Sequence, residues 1–294
     1  MKRWADGFIA VDWGTTNRRA YLIEKGGQSS AEFEDGKGIL SVGRGEFEAA
    51  IAEIRERLGE WPMLLAGMVG SNRGWVEAPY VPCPASGEDL ARALVRIGDD
   101  VAIVPGVSLG DGRPDVMRGE EVQLVGAIAS GQIPRDCLVC HPGTHNKWVR
   151  VRNGRIESFR TVMTGELFSM LKKRSILSDL LARRVTPREA FREGVARGLS
   201  GAGITSQLFE VRAGFLLGQI DPADGASRVS GLLIGEDIRV GLAEKPGARV
   251  IVMGRPELTS LYSSALEVAG IESESLDGEG AFIAGARNIV EQIQ

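Results

Sequence analysis

The chain has 294 residues, long for one domain and short for three, so two lobes are expected. Hydrophobic residues at 43% and charged residues at 25% are ordinary for a folded globular chain and exclude a disordered or fibrous one. A net charge of −4 supplies no basic field for nucleic acid, which is not an expected partner, and three cysteines are too few for a disulfide framework.

No apolar run of signal-peptide length precedes Asp12, and no stretch approaches about 18 apolar residues, so no membrane partner is expected. With so few cysteines, a reducing, cytoplasmic location is the expectation. Phe8 to Val11 reads as a strand, GTTNR as a tight turn and AYLI as a second strand, before Lys25, Gly26 and Gly27 turn again. EFEAAIAEIRERLGE has helical spacing with an acid-rich first turn. MLLAGMVGSN reads as a strand running into a glycine-rich polar loop, and VAIVPGV as a further strand. VMRGEEVQLVGAIASG predicts a helix with Val122, Leu124, Val125 and Ile128 on its apolar positions and Gly131 as its stop.

CLVC, HPGTHNK and WVRV repeat the pattern strand, turn, strand, and Asn153-Gly154 signals a hairpin into a third strand around RIESFRTV. GELFSMLKKRSILSDLLARR and SRVSGLLIGEDIRVGLAE each read as helical, ARVIVMGRPEL as a strand, and TSLYSSALEVAG and GAFIAGARNIVEQ as closing helices. The segment DCLVCH also spells the C-x-x-C-H pattern of haem attachment. Its apolar run instead predicts a buried strand in which cysteine serves as a small hydrophobe. A zinc site from Cys137, Cys140, His141 and His145 would crowd four ligands into nine residues, tighter than structural zinc sites use.

The two turns share a frame at an offset of 129: Gly14, Thr15, Asn17 and Arg18 against Gly143, Thr144, Asn146 and Lys147. A strand ending in Asp-x-Gly-Thr-Thr brings backbone N–H groups and hydroxyls to one concave point, an arrangement that cradles a phosphate. Asp12 would place a hard oxygen beside that cradle, which suits Mg²⁺. One cradle per lobe would clamp a nucleoside triphosphate, and phosphoryl transfer depends mainly on such positioning and charge stabilisation. The bland alternative is a pair of ordinary hairpins in which glycine, threonine and asparagine serve the backbone. A G-x-x-x-x-G-K-[ST] loop is absent.

FIAVDWGTTNRRAYLI resembles the first phosphate motif of the sugar kinase, heat-shock ATPase and actin superfamily, HPGTHNKWVRV stands in the place of the second, and VIVMGRPELTSLY in that of the adenosine motif. DWGTTNRRA, AGMVGSNRGW, VMRGEEVQL, PGTHNKW, FRTVMTGEL and LFEVRA, in that order, resemble the 2-dehydro-3-deoxygalactonokinase family. The resemblance implies an α/β, two-lobed, actin-like ATPase (ribonuclease H-like) fold with duplicated lobes, 1–130 and 131–294, and ATP in the cleft between them. It implies ATP-dependent phosphorylation of 2-dehydro-3-deoxy-D-galactonate at its 6-hydroxyl, with ATP and Mg²⁺ as cofactors and a small sugar acid as substrate. A kinase for another sugar acid or ketose, or a non-metabolic actin- or chaperone-type ATPase, are the alternatives. The sequence carries no signal of oligomeric state.

By the same resemblance, Asp12 is the Mg²⁺-side acid, Gly14, Thr15, Thr16 and Asn17 surround the terminal phosphates, Gly143, Thr144, His145 and Lys147 belong to the second cradle, and Gly254, Arg255 and Pro256 lie along the adenosine. Superfamily members usually carry the general base as an Asp in the second motif, where this chain has His141. Glu120 is the first candidate for that base because RGEE opens a helix, with capping of that helix as the competing reading; His145 and Asp12 are the rivals. The sugar carboxylate needs a cation, and Arg19, Arg73 and Arg118 are the candidates. Ser71 and Asn72 offer hydrogen bonds to hydroxyls, and Trp75 either covers the sugar face or packs in the core. Thr164 and Glu166 are expected to cap a helix.

Overall fold

The computed structural model describes residues 3–26, 29–110, 112–244 and 249–293, so the expected turn at Gly27 lies outside the described residues. The chain divides into two compact units: unit 1 is Met1–Asp136, Val151–Ser158 and Gly278–Gln294, and unit 2 is Cys137–Arg150 and Phe159–Asp277. The chain leaves unit 1 after Asp136, returns to it for Val151–Ser158 and again from Gly278.

In order, unit 1 contains β1 (Gly7–Trp13), β2 (Arg18–Glu24), β3 (Ser29–Asp35), α1 (Phe47–Leu58), β4 (Met63–Gly67), β5 (Tyr80–Pro82), α2 (Gly87–Arg92), β6 (Val95–Ile97), β7 (Val101–Ile103), β8 (Gly106–Leu109), β9 (Asp115–Met117) and α3 (Glu120–Ala129). Unit 2 follows with β10 (Cys137–His141), β11 (Asn146–Arg152), β12 (Arg155–Val162), α4 (Thr164–Arg174), α5 (Glu189–Leu199), α6 (Ile204–Leu216), α7 (Gly225–Gly241), β13 (Arg249–Gly254), α8 (Pro256–Val268) and β14 (Glu272–Asp277); the tip of the β11–β12 hairpin and the last helix, α9 (Gly278–Glu291), belong to unit 1.

The main sheet of unit 1 has the order β3-β2-β1-β4-β7-β6, and that of unit 2 the order β12-β11-β10-β13-β14. In both, a meander of three consecutive strands is followed by a strand parallel to its first member and a further strand parallel to that one: β1 with β4 and β4 with β7, β10 with β13 and β13 with β14. The repeat expected from the two turns is therefore a repeat of sheet topology. Phe8, Ile9, Ala10, Val11 and Trp13 are all buried, as a central strand covered on both faces requires. Helix α1 lays Phe47, Ile51, Ile54 and Leu58 onto Ile9, Val11, Trp13 and Leu65, and each such side chain contributes about 1.5–3 kcal/mol on burial. In unit 2, Leu138, Cys140 and Trp148 pack with Phe191 of α5, Ile234 of α7 and Tyr262 of α8.

Cys140 sits in β10 as a buried apolar residue, as expected, and all three cysteines are free. Asn153 and Gly154 both have positive φ, 51° and 72°, the backbone of the expected two-residue hairpin. Gly131, φ 71°, follows α3 as its stop.

One expected helix is broken. The run from Gly165 through Arg184 forms α4 only as far as Arg174; a 3₁₀ turn follows at Ser178–Leu181. Ser175 Oγ donates to the Leu171 carbonyl and accepts the Leu177 N–H at 3.0 Å, which replaces the next helical bonds with a side-chain turn.

Candidate active site

In unit 1 the first turn follows the C-terminal end of β1, and the loop 67–78 follows the C-terminal end of its parallel neighbour β4. In unit 2 the second turn follows β10, and Gly254 and Arg255 follow its parallel neighbour β13. The outer carboxyl ends of adjacent parallel strands are where open α/β sheets hold ligands.

The first turn is shaped from behind. Gly14 N–H donates to the Asn17 carbonyl at 2.9 Å, and the carbonyls of Gly14, Thr15 and Thr16 accept from Ile39, Leu40 and Gly38 N–H at 3.0, 3.2 and 3.0 Å. A Cβ at Gly38 would overlap the backbone of Thr15 and Thr16, so only glycine permits that approach. Thr15 and Thr16 are exposed, and their N–H groups and hydroxyls have no partner among the described residues, leaving a set of donors for an anion. Asn17 donates instead to Glu34 at 3.1 Å, and Arg18 is wholly buried, paired in fork geometry with Asp35 at 2.8 and 3.3 Å.

Asp12 lies on β1 opposite Arg19, and its carboxylate accepts no hydrogen bond among the described residues. Burial pushes its carboxyl up to about 6 against the pull of the Arg19 charge, with the Glu120 and Glu34 charges adding to the rise. Arg19 also pairs with Glu34 at 3.2 Å. A recessed carboxylate without a protein donor is a fitting partner for Mg²⁺, which keeps the rest of its shell for water and phosphate.

Glu120 and Glu121 open α3. Glu120 accepts the Arg118 N–H at 3.1 Å, and the Gly119 N–H lies 2.8 and 2.6 Å from the two oxygens of Glu121. Both acids thus serve the helix start, the competing reading for this pair. Glu121 is fully buried; burial and then the Glu120 charge push it up to about 8. Since its folded value lies above the ordinary 4.5, the stability it contributes is present at low pH and lost as pH rises through about 8. Glu121→Gln is therefore expected to raise Tm more at about pH 8.5 than at about pH 6; an equal shift at both would show that the side chain does not titrate with folding.

The loop after β4 is held by its own backbone: Trp75 N–H donates to the Val69 carbonyl at 2.8 Å and Ala78 N–H to the Gly70 carbonyl at 2.9 Å. Ser71 is turned inward, donating to Met68 at 2.7 Å, while Asn72 and Arg73 are exposed. Trp75 stacks on Phe47 at 6.2 Å and packs on the unit 1 core. Arg118 donates to the Ala78 carbonyl at 2.7 Å and lies over Tyr80 at 4.4 Å; its Nε and Nη1 are enclosed without a hydrogen-bond partner. Arg73 is thus exposed, whereas Arg118 is held against the Ala78 carbonyl with the rest of its guanidinium enclosed.

The second turn is locked to α4. Glu166 N–H donates to the Thr144 carbonyl at 2.9 Å, a Cβ at Gly165 would overlap the Gly143 carbonyl, and the Glu166 carboxylate meets His145 Nε2. Helix α4 has no side-chain cap. The capping expected of Thr164 and Glu166 is thus replaced: Thr164 is buried and donates to Asp237, because a buried carboxylate is the stronger acceptor, and Glu166 turns to His145. Lys147, 5% exposed, donates to Thr161 on β12 at 2.8 Å, as Arg18 reaches β3 in unit 1. His141 is buried at the end of β10. Gly254 lies against Pro142, Arg255 caps α8 and Pro256 is its first residue, so the expected phosphate and adenosine turns adjoin.

Asp237 of α7 is the residue the sequence did not reveal. It is 0% exposed and accepts from Trp148 at 2.7 Å and Asn146 at 3.0 Å on Oδ1, and from Thr164 and Tyr262 on Oδ2. Burial raises its pKa in spite of those four donors. In sequence, GED on a helix reads as a solvated face; the only hint was its apolar flank LLI.

Two sheets of one topology, each carrying polar turns at the ends of parallel strands, define an actin-like ATPase fold. The activator of the 2-hydroxyisocaproyl-CoA dehydratase from Clostridium difficile shares that fold alone, with a TM-score of 0.53 and 12% identity over 97% of this chain and 95% of that one. Within the fold, the 2-keto-3-deoxy-galactonokinase family model matches residues 12–289. The 2-dehydro-3-deoxygalactonokinase of Escherichia coli (strain K12) is 36% identical over 292 residues, 97% of this chain and 98% of the relative. A Sinorhizobium meliloti protein assigned as a 2-dehydro-3-deoxygalactonokinase has a crystal structure with a TM-score of 0.89 at 36% identity, covering 97% of this chain and 99% of that one. The chain belongs to the 2-dehydro-3-deoxygalactonokinase family.

Proposed function

We infer that this chain is an ATP-dependent kinase that phosphorylates 2-dehydro-3-deoxy-D-galactonate at its 6-hydroxyl. The observation that carries this is the pair of topologically equivalent turns, each offering glycine and threonine donors at the end of a central strand, in a chain of this family. The free donors of Thr15 and Thr16 are the phosphate-binding groups of unit 1, and Gly143 and Thr144 those of unit 2. Gly254 and Arg255 follow the adenosine. Bound Mg²⁺, held by Asp12 on the protein side, would neutralise phosphate charge. Arg73 and Arg118 attract the sugar carboxylate, Arg19 tunes Asp12, and Asn72 contacts hydroxyls.

For the base, Glu120 and the His145–Glu166 pair are the two arrangements present. His145 presents an imidazole whose Nε2 is held by the Glu166 carboxylate, which leaves Nδ1 to take the hydroxyl proton. Glu120 already accepts a backbone N–H and keeps its other oxygen for the same task. A cytoplasmic location is part of this reading, in keeping with three cysteines that are all free.

The test is ADP formation from Mg-ATP against a panel of 2-dehydro-3-deoxygalactonate, its gluconate epimer, galactonate, glycerol and no acceptor. Turnover confined to the galactonate-derived keto acid is expected. Equal turnover with and without acceptor would refute the kinase reading and leave an ATPase.

A further inference from the structure

We propose that Asp237 is a positioning residue for the nucleotide, setting the second turn against the helices that flank it. The inference rests on the ATP-binding reading above. Its carboxylate gathers donors from three separate elements: Asn146 and Trp148 immediately after the turn on β11, Thr164 at the start of α4, and Tyr262 on α8. Each tie ends beside a ligand-facing segment. Asn146 follows His145, Thr164 precedes the Gly165 and Glu166 that press on Gly143 and Thr144, and α8 is the helix that leaves the Gly254–Arg255 turn. One buried group therefore fixes the spacing between the phosphate turn and the adenosine turn, which already touch at Pro142 and Gly254.

The chemistry of the four contacts says which substitutions should matter. Oδ1 receives two N–H groups, which can only donate, whereas Oδ2 receives two hydroxyls, which can donate or accept. Asparagine retains the carbonyl for Asn146 and Trp148, and its amide can donate to the hydroxyls of Thr164 and Tyr262. Asp237→Asn thus keeps the geometry and removes only the charge. Asp237→Ala removes every tie, and Tyr262→Phe removes only the tie to α8 while preserving the ring in the core.

The experiment is calorimetric titration of each full-length variant with Mg-ATP, alongside its Tm and its KM for the sugar acid at saturating ATP. Relative to wild type, Asp237→Ala is expected to weaken ATP binding about tenfold and Tyr262→Phe about threefold, with Asp237→Asn within about twofold and the sugar-acid KM steady within about twofold. Tyr262→Phe keeps the test open if Asp237→Ala does not fold. Unchanged ATP affinity in Tyr262→Phe and in folded Asp237→Ala, with only Tm lowered, would reduce Asp237 to a structural anchor and overturn the inference alone. A wild-type chain that binds no ATP would overturn the nucleotide reading with it.

Discussion

Asp12→Asn is expected to lower kcat about 10³-fold without unfolding the protein, the scale seen when one pre-positioned charge is removed from a phosphoryl-transfer site. The carboxylate is recessed on β1, accepts no hydrogen bond among the described residues, and stands beside the donors of the first turn, so on the proposed reading its charge faces the metal and phosphates. Since burial holds its pKa near 6 and the ordinary value is 3.8, the folded protein keeps a proton there that the unfolded chain has released. Ionisation of Asp12 consequently opposes folding, and the stability the group lends below about pH 4 is lost as pH rises through about 6. Asp12→Asn should then be at least as stable as wild type near neutrality while almost inactive, because function requires the charge that folding disfavours. In wild type, kcat/KM should fall on the acid side with a midpoint near 6, and Arg19→Gln should move that midpoint upward, since the Arg19 charge lowers it. An unmoved acid limb in Arg19→Gln would assign the limb to another group.

The alternation of apolar strands and polar turns was legible in sequence because both central strands are buried on two faces and read as unbroken apolar runs. The shared frame of the two turns also pointed to a real equivalence, but its letters divide in function. Glycine and threonine face outward in the first turn. Asn146, Arg18 and Lys147 turn inward to Asp237, Asp35 and Thr161, and Asn17 is tied to Glu34 at the surface, so these side chains brace each turn. On the proposed reading a repeated motif combines the residues that bind with the residues that hold the binders, and spacing cannot separate them. Asp237 eluded the sequence for a related reason: its four donors come from positions 146, 148, 164 and 262, and only the fold brings them together.

Helix α5 was also not legible, and its glycines are the reason. Gly194 and Gly198 in α5 read as breakers, each costing about 1 kcal/mol in an isolated helix. In the fold they face α7, where a Cβ at Gly194 would overlap the Arg228 carbonyl and one at Gly235 the Val195 carbonyl. The helices approach closely enough that packing repays the poor propensity, so tertiary contact decides what local preference opposes.

The same geometry in unit 1 predicts the largest stability effect. Gly285→Ala is expected to destabilise the protein by about 2–4 kcal/mol, near the upper range for overpacking, and to lower Tm by about 5–10 °C. Helix α9 lies on α3 with glycine at the contact from both sides: a Cβ at Gly285 would overlap the Val122 carbonyl, and one at Gly126 the Ala281 carbonyl. Alanine is the better helix former by about 1 kcal/mol, so propensity alone predicts a gain in stability. The obstacle is backbone, which cannot rotate aside like a side chain, and relief requires α3 and α9 to separate. Because α3 opens with Glu120 and Glu121, part of the loss should appear as a raised KM for the sugar acid in the fraction that remains folded. Gly36→Ala, where a Cβ meets nothing within 4 Å, is the matched control and should stay within about 0.5 kcal/mol of wild type. If thermal denaturation showed both variants alike, the close crossing of α3 and α9 would not be what holds that part of unit 1 together.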